Sequence, residues 1–489
     1  MAEEKKEETK EIKSIEVPEA ASADLVWMEG DAKELAYRAT ASHVDVVNDE
    51  GKTIGKMFSL AFVALKDGEP DPSRPVTFAY NGGPGSASVA IDFGGIGPKR
   101  VRTPGFDHIP ASAPIEDNPH SILAYTDLVF LDALGTGWSR IAEGVEADKT
   151  FGADADADCF ARAITSWLQD NGRWSSPLYL FGESYGTTRN AVLMRLLGER
   201  SVKLTGVVMF SSIFDWGFTM PGANENYAGL FPTYAAAAQH FGRAGAGVDP
   251  DEWFDAAVDF TDDVLLPALM KGDMLPEADE KRIAEDASAI IGIPAEYIAK
   301  KHLRIDLADF RGKLLEDEGR MIGRFDMRFA SDGPAYMQIP SLWVAWEDPS
   351  GDAVTAAWAQ AFRAFCADVL GYKGPARYMD SNYETVMKDW KMEHEMPGTF
   401  EKALAPNFAL DIAVTLRRDP TIKLAIVGCR YDAATPWWNV RHDMSGQFLS
   451  PQIKERITWL RYGSGHMAYT DEKALTALAK DMAVFYAKE

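Results

Sequence analysis

Apolar positions along this chain follow two periods. In KELAYRATASHVDVVNDEGKTIGKMFSLAFVAL they alternate with polar ones on both sides of Asn48–Gly51, which predicts the strands of an antiparallel hairpin. Later strands read as short, nearly unbroken apolar runs: PVTFAY, LVFL from Leu128, LYLF from Leu178, GVVMF, KLAIV from Lys423, and RITWLRY. Runs of that length, bounded by Gly and polar residues, fit strands buried on both faces. Between them, DADADCFARAITSWLQDNG, the stretch from Asn190 and the closing EKALTALAKDMAVFYAKE have helical spacing. Strands that alternate with helices, with Gly-rich loops at several strand ends, predict an α/β fold. Its sheet should be mostly parallel, with the site at the carboxyl ends of the strands.

From about Trp216 to Phe400 the texture changes. Strand signals thin out and acidic amphipathic segments such as PEADEKRIAEDASAIIG dominate. The expected organisation is a disordered leader over 1–25, a core over 26–215 and 401–489, and a mainly helical cap inserted over 216–400. The leader, MAEEKKEETKEIKSIE, is charged and lacks the apolar stretch of a signal peptide, and no run is long enough to span a membrane. A cytoplasmic protein is expected as the sequence stands, or a periplasmic or secreted one if a signal was removed.

With 489 residues, 46% hydrophobic and 25% charged, the chain can bury a large core. A net charge of -24 disfavours nucleic acid and anionic membranes as partners, and says nothing about catalysis. Cys159, Cys366 and Cys429 are odd in number and far apart, so they predict small buried residues rather than disulfides or a zinc site. No metal and no cofactor are expected.

Candidate chemistry centres on LYLFGESYGTTRN. A strand, then Gly182-Glu183-Ser184-Tyr185-Gly186, then a helix is the context in which a G-x-S-x-G turn lifts a Ser to a helix N-terminus. The motif alone also occurs by chance in Gly-rich loops, so Ser184 needs partners. Among the downstream histidines, His466 lies in a Gly-flanked loop after a strand. His240, His302, His394 and His442 fit surface or core-edge positions better. Asp432 follows the strand Lys423–Val427 as an acid that orients imidazole should; a role as Asx-turn or helix cap is compatible with that. The order Ser, acid, His is that of an α/β-hydrolase. Backbone N–H groups of Tyr185 and of the loop Gly82-Gly83-Pro84-Gly85 are the candidate oxyanion donors.

The segments NGGPGSAS, NPHSILAYTDLVFLDALGTGWSR, FGESYGTTR, GCRYDAATP and GSGHMAY occur in this order. As a set they resemble the serine carboxypeptidase family, most of all its bacterial members. The resemblance implies an α/β-hydrolase fold with a cap, and removal of the C-terminal residue from peptides. It implies Ser184 as nucleophile, Asp432 as acid, His466 as base, and Gly83 and Tyr185 as oxyanion donors. It also implies that Asn81 and Glu183 help hold the substrate's terminal carboxylate. Three positions depart from the family: Ser86 stands for a Cys, Ala133 for a Pro, and Gly95 for a further carboxylate-binding Glu. An esterase or acyltransferase on the same triad, or an inactive binding scaffold, are the competing expectations.

Overall fold

The computed structural model describes residues 11–29, 33–220, 222–339, 347–399 and 401–487. Three long strands, β1 (Ala21–Glu29), β2 (Lys33–Val47) and β3 (Thr53–Lys66), pair antiparallel at one edge of the sheet. Next come β4 (Val76–Tyr80), β5 (Asp127–Leu131), β6 (Leu178–Ser184), β7 (Gly206–Ser212), β8 (Lys423–Cys429) and β9 (Ile457–Tyr462). The spatial order is β1-β2-β3-β5-β4-β6-β7-β8-β9. β3 meets β5 antiparallel, and every pairing beyond it is parallel.

The apolar runs behave as buried parallel strands because successive side chains point to opposite faces. Phe78, Leu180, Met209 and Ile426 enter one hydrophobic cluster. Their neighbours Ala79, Phe181, Phe210 and Val427 enter the other. The first face is covered by α1 (Ala153–Asp170) and α2 (Tyr185–Glu199). α1 carries Asp154 and Asp156 in its first turn, where acids suit the helix dipole, and buries Phe160, Ile164, Trp167 and Leu168 along one stripe.

One sequence expectation needs correction. The leader was placed up to residue 25, but Ala21–Leu25 lie in β1, paired with Tyr37–Ala41 of β2. Trp27, at the inward end of that strand, is buried and donates Nε1–H to the Asn118 carbonyl (2.7 Å). Of the rest of the expected leader, residues 11–20 form no helix or strand, with Lys13 N–H donating to the Glu143 carbonyl (3.0 Å), and residues 1–10 lie outside the described residues. The stretch GGIGPKR begins inside the helical segment Ala90–Ile96, and Gly97–Pro98 turns the chain.

Between β7 and β8 the chain forms α3 (Asn224–His240), α4 (Pro250–Phe260), α5 (Glu277–Ile291) and shorter pieces, including the two-stranded pair Arg320–Ile322 with Ala330–Asp332. This insertion does not form a core of its own. Phe231, Tyr234, Phe254 and Phe310 join the cluster on the α1/α2 face. Phe329, Trp358, Phe362 and Phe365 join the opposite one. The chain closes with α6 (Ala409–Arg418), α7 (Trp437–Ser445) and α8 (Glu472–Tyr486). α8 is capped by Asp471, whose Oδ1 accepts from the N–H groups of Lys473 and Ala474. The three cysteines are buried and free. Among the described residues, no helix is long and apolar enough to cross a membrane.

Candidate active site

β6 ends on Ser184 and α2 starts at Tyr185 with no intervening loop. The chain can turn that sharply only through an uncommon conformation, and Ser184 has φ 60° and ψ -128°. A non-glycine residue in that region is strained, and such strain is held where surrounding structure imposes it. A Cβ on Gly182 would run into the Gly186 backbone, and one on Gly186 would come 3.1 Å from the Tyr80 carbonyl oxygen, so both positions are tight for a side chain. Ser184 is half-buried at the N-terminus of α2, and its carbonyl accepts from Thr187 Oγ1 (2.7 Å).

The loop after β4 lies directly against this elbow. A Cβ on Gly82 would come 2.7 Å from Gly186 N and 2.8 Å from Glu183 O, and nearer still to Tyr185 N. Gly83 has φ +106°, a conformation that favours glycine, and is exposed beside the elbow. Two anchors fix the loop from below. The Asn81 side-chain oxygen accepts from Ile91 N–H (2.9 Å), and Arg189 Nη1 of α2 donates to the Asn81 carbonyl (3.0 Å). Arg189 is itself buried. It donates Nε–H to Asp156 of α1 (2.7 Å) and lies over the Phe160 ring at 4.0 Å. Its position under the oxyanion-loop candidate, invisible in the sequence, makes it a structural link between β4, α1 and α2.

His466 comes from the loop after β9, and Asp432 from the turn after β8. Asp432 is fully buried. Its Oδ1 accepts from the N–H groups of Ala434 (2.8 Å) and Thr435 (2.9 Å), while its Oδ2 accepts from Thr435 Oγ1 (2.6 Å) and faces His466 Nδ1 at 2.8 Å. The Asx-turn and imidazole-orienting roles thus coexist in one carboxylate. With a proton on Nδ1 directed to Asp432, the lone pair is left on Nε2. The His466 loop is held at both ends of its backbone. Its N–H donates to the Phe325 carbonyl (2.6 Å), and its carbonyl accepts from Ser211 Oγ of β7 (2.6 Å). Ser184 and Ser212 are paired in the sheet register, so Ser211 fixes His466 over the strand end next to the elbow. The Phe325 ring stacks on the imidazole at 5.2 Å.

Burial works against a charged His466, but Asp432 overrides it through its charge and hydrogen bond, and Glu183 adds to it. The net effect is an imidazole held above its ordinary range, with Arg324 pulling the other way. Glu183 is 2% exposed. Burial pushes its carboxyl up to about 7, opposed by His466 and by hydrogen bonds from Tyr469 and Asn81, and reinforced by the Asp432 charge. The Tyr469 hydroxyl donates to the Glu183 carboxylate, at 2.9 Å from Oε2 and 3.1 Å from Oε1.

The structure therefore brings Asn81, Gly83, Glu183, Ser184, Tyr185, Asp432 and His466 to one end of the parallel sheet. Sequence reasoning missed Thr435, Tyr469, Ser211, Phe325 and Arg189 as supporting residues. Thr435 lies three residues from its partner Asp432 and was accessible to a search for nearby hydroxyls, whereas Tyr469, three residues after His466, bonds to the distant Glu183. Phe325 and Ser211 had no local signal. His394, expected at a surface or core edge, is buried between Asp154 (2.5 Å) and Asp411 (2.8 Å), away from this site. Among the described residues, no group of three or more His, Cys, Asp or Glu could hold a metal ion.

A mixed sheet of this order, with a strained Ser at a strand–helix elbow and a His–Asp pair beyond it, defines the α/β-hydrolase class. The fold is also that of Kex1(delta)p, a prohormone-processing carboxypeptidase from Saccharomyces cerevisiae. That similarity has a TM-score of 0.56 at 13% identity and covers 92% of this chain and 91% of the other. Within the class, residues 32–210 match the model of the serine carboxypeptidase family. Serine carboxypeptidase-like 44 of Arabidopsis thaliana is 29% identical over 166 residues, 33% of this chain and 31% of that protein. Serine carboxypeptidase-like 36 of the same plant is 25% identical over 205 residues, 40% of this chain and 39% of that protein. The matched region thus spans 31% to 39% of these relatives' length.

Proposed function

We propose that the protein is a serine carboxypeptidase that releases the C-terminal residue of peptides through an acyl-enzyme. The observation that carries this reading is the buried Glu183 next to the strained Ser184, facing Asn81 and within the field of the His466–Asp432 pair. A carboxyl that is neutral at such a pH can donate to a peptide's terminal carboxylate, whereas an ionised one repels it, so a protonatable acid buried beside the nucleophile suits an exopeptidase.

In this reading His466 Nε2 takes the Ser184 proton as Oγ attacks the scissile carbonyl. The N–H groups of Gly83 and Tyr185 stabilise the oxyanion. The tetrahedral species collapses, the departing amine takes the proton from His466, and the C-terminal amino acid leaves. Water then repeats the sequence on the acyl-enzyme, returning Ser184 and a shortened peptide. Asn81 and protonated Glu183 bind the terminal carboxylate.

The test is hydrolysis of a blocked dipeptide beside its C-terminal amide, with fluorophosphonate labelling of Ser184. Labelled wild type, an unlabelled and inactive Ser184→Ala variant, and preference for the free acid are expected. Equal cleavage of acid and amide at every pH points to the esterase or acyltransferase reading, and absence of labelling points to an inactive scaffold.

A further inference from the structure

Residue 95 is a glycine, and the space its side chain would occupy is already filled. A Cβ there would lie 2.9 Å from Cδ1 and 3.1 Å from Cγ of the Tyr469 ring. Tyr469 is buried, with its ring against Phe210 of β7 and Trp358 of the insertion, at centroid distances of 6.1 and 5.8 Å. From that position its hydroxyl reaches both oxygens of Glu183. We propose that Tyr469 is a positioning residue for terminal-carboxylate recognition: its hydroxyl enters through the volume Gly95 leaves open and holds the Glu183 carboxyl in its binding orientation. The inference rests on the carboxypeptidase reading above.

The groups facing Glu183 define what the hydroxyl does. His466 and Asp432 lie on the loops after β9 and β8, Asn81 on the loop after β4, and Tyr469 on the turn following His466. His466 and Asp432 act mainly through charge, and they oppose each other. Asn81 is committed through its oxygen to Ile91 N–H, so its amide is the donor side that remains. Tyr469 is buried among these groups and faces Glu183, which holds its own proton well above the usual phenol range. The hydroxyl therefore stays a donor across the working pH range. It fixes the rotation of the Glu183 carboxyl, directing the acid proton away from the phenol and toward the ligand. A second carboxylic acid at this place would instead share its proton with Glu183 and add a charge of its own.

A donor to Glu183 favours the ionised form. Removing it should raise the proton affinity of Glu183, so Tyr469→Phe is the informative variant; it keeps the ring that packs and removes only the oxygen. One hydrogen bond to a charged group corresponds to a shift of roughly one to two pH units. Two readouts are taken on the full-length enzyme. The first is the infrared carboxyl band of Glu183, assigned by its loss in Glu183→Gln and followed against pH without substrate. The second is KM against pH for a blocked dipeptide and for its C-terminal amide.

In the wild type the band should titrate near 7, and the KM of the acid, but not the amide, should rise over the same range. In Tyr469→Phe both midpoints should move upward together. A band that titrates at the same pH in both proteins, with the acid still preferred over the amide, overturns the role given to Tyr469 and leaves the carboxypeptidase reading intact. A band that moves while acid and amide keep equal KM at every pH overturns the carboxypeptidase reading, and the recognition role with it.

Discussion

Gly82→Ala should disable the enzyme without unfolding it. Ordinary van der Waals contact begins near 3.4 Å, and a Cβ at residue 82 would stand 2.7 Å from Gly186 N, so the loop must retreat by at least 3.4 - 2.7 = 0.7 Å. The atoms it meets belong to the backbone of the elbow, not to a side chain that could rotate away. Retreat separates the Gly83 N–H from the elbow and leaves Tyr185 as the remaining oxyanion donor. Losing one such donor costs on the order of 10²–10³ in kcat, and a misplacement approaching 1 Å costs about as much. The crowding itself should destabilise the fold by roughly 1–3 kcal/mol. The assay is burst acylation by an activated ester with the thermal midpoint measured on the same preparation. The expected pattern is an acylation rate reduced a hundredfold or more, with a native-like melting transition. A folded Gly82→Ala enzyme that acylates within twofold of the wild type would refute the placement of the oxyanion site between this loop and the elbow.

Three further outcomes are expected. Asp432→Asn should lower kcat on the order of 10⁴-fold, as the imidazole loses its orienting carboxylate. Because Asp432 raises the proton affinity of His466, the acidic limb of the kcat/KM profile should also move to lower pH; an unmoved limb would sever the pair. His394, lowered by burial but raised to about 9 by its bonds to Asp154 and Asp411, should contribute stability that is complete below its ordinary range near 6.5 and lost as pH rises through 9. That contribution is at most about 3 kcal/mol, and urea denaturation of wild type and His394→Gln at pH 6 and pH 9.5 should show the gap between them closing. Gly198→Ala, at an exposed position of α2 with no atom within 4 Å of the new methyl, should raise stability by roughly 0.5–1 kcal/mol in the same assay, and a loss would contradict the open helical site.

The parallel strands were legible because each is a short apolar run buried on both faces, as Leu178–Phe181 and Lys423–Val427 are. β1 was not: of its residues with described burial only Trp27 is fully buried, and the Ala-Ser-Ala start has weak strand character, so its pairing with β2 rather than its composition makes it a strand. Ser184, Asp432 and His466 could be read because the strand that presents each one lies immediately before it. Their supports come from elsewhere in the chain. Arg189 reads as an unremarkable helical cation until Asp156 and the Asn81 carbonyl arrive from other elements. The shift of Glu183 had no local signal either, since the Tyr469 that bonds it and the Asp432 and His466 whose charges act on it come from other loops. His394 shows the converse: a His between two acids, with nothing in its local sequence to announce them.

The Phe325 carbonyl that receives the His466 N–H belongs to a segment pinned to the base's own loop. Arg328 donates to Asp326, to the Gly463 carbonyl, to Ser464 and to Asp471. The insertion therefore supplies part of the frame in which the His466 imidazole is aligned. Exchanging it between homologues to change substrate preference would then be a transplant of machinery as well as of specificity. A chimera joined anywhere between β7 and β8 must carry residues 323–328 together with residues 463–471 from one parent. Chimeras that split these two stretches should keep the fold and lose turnover.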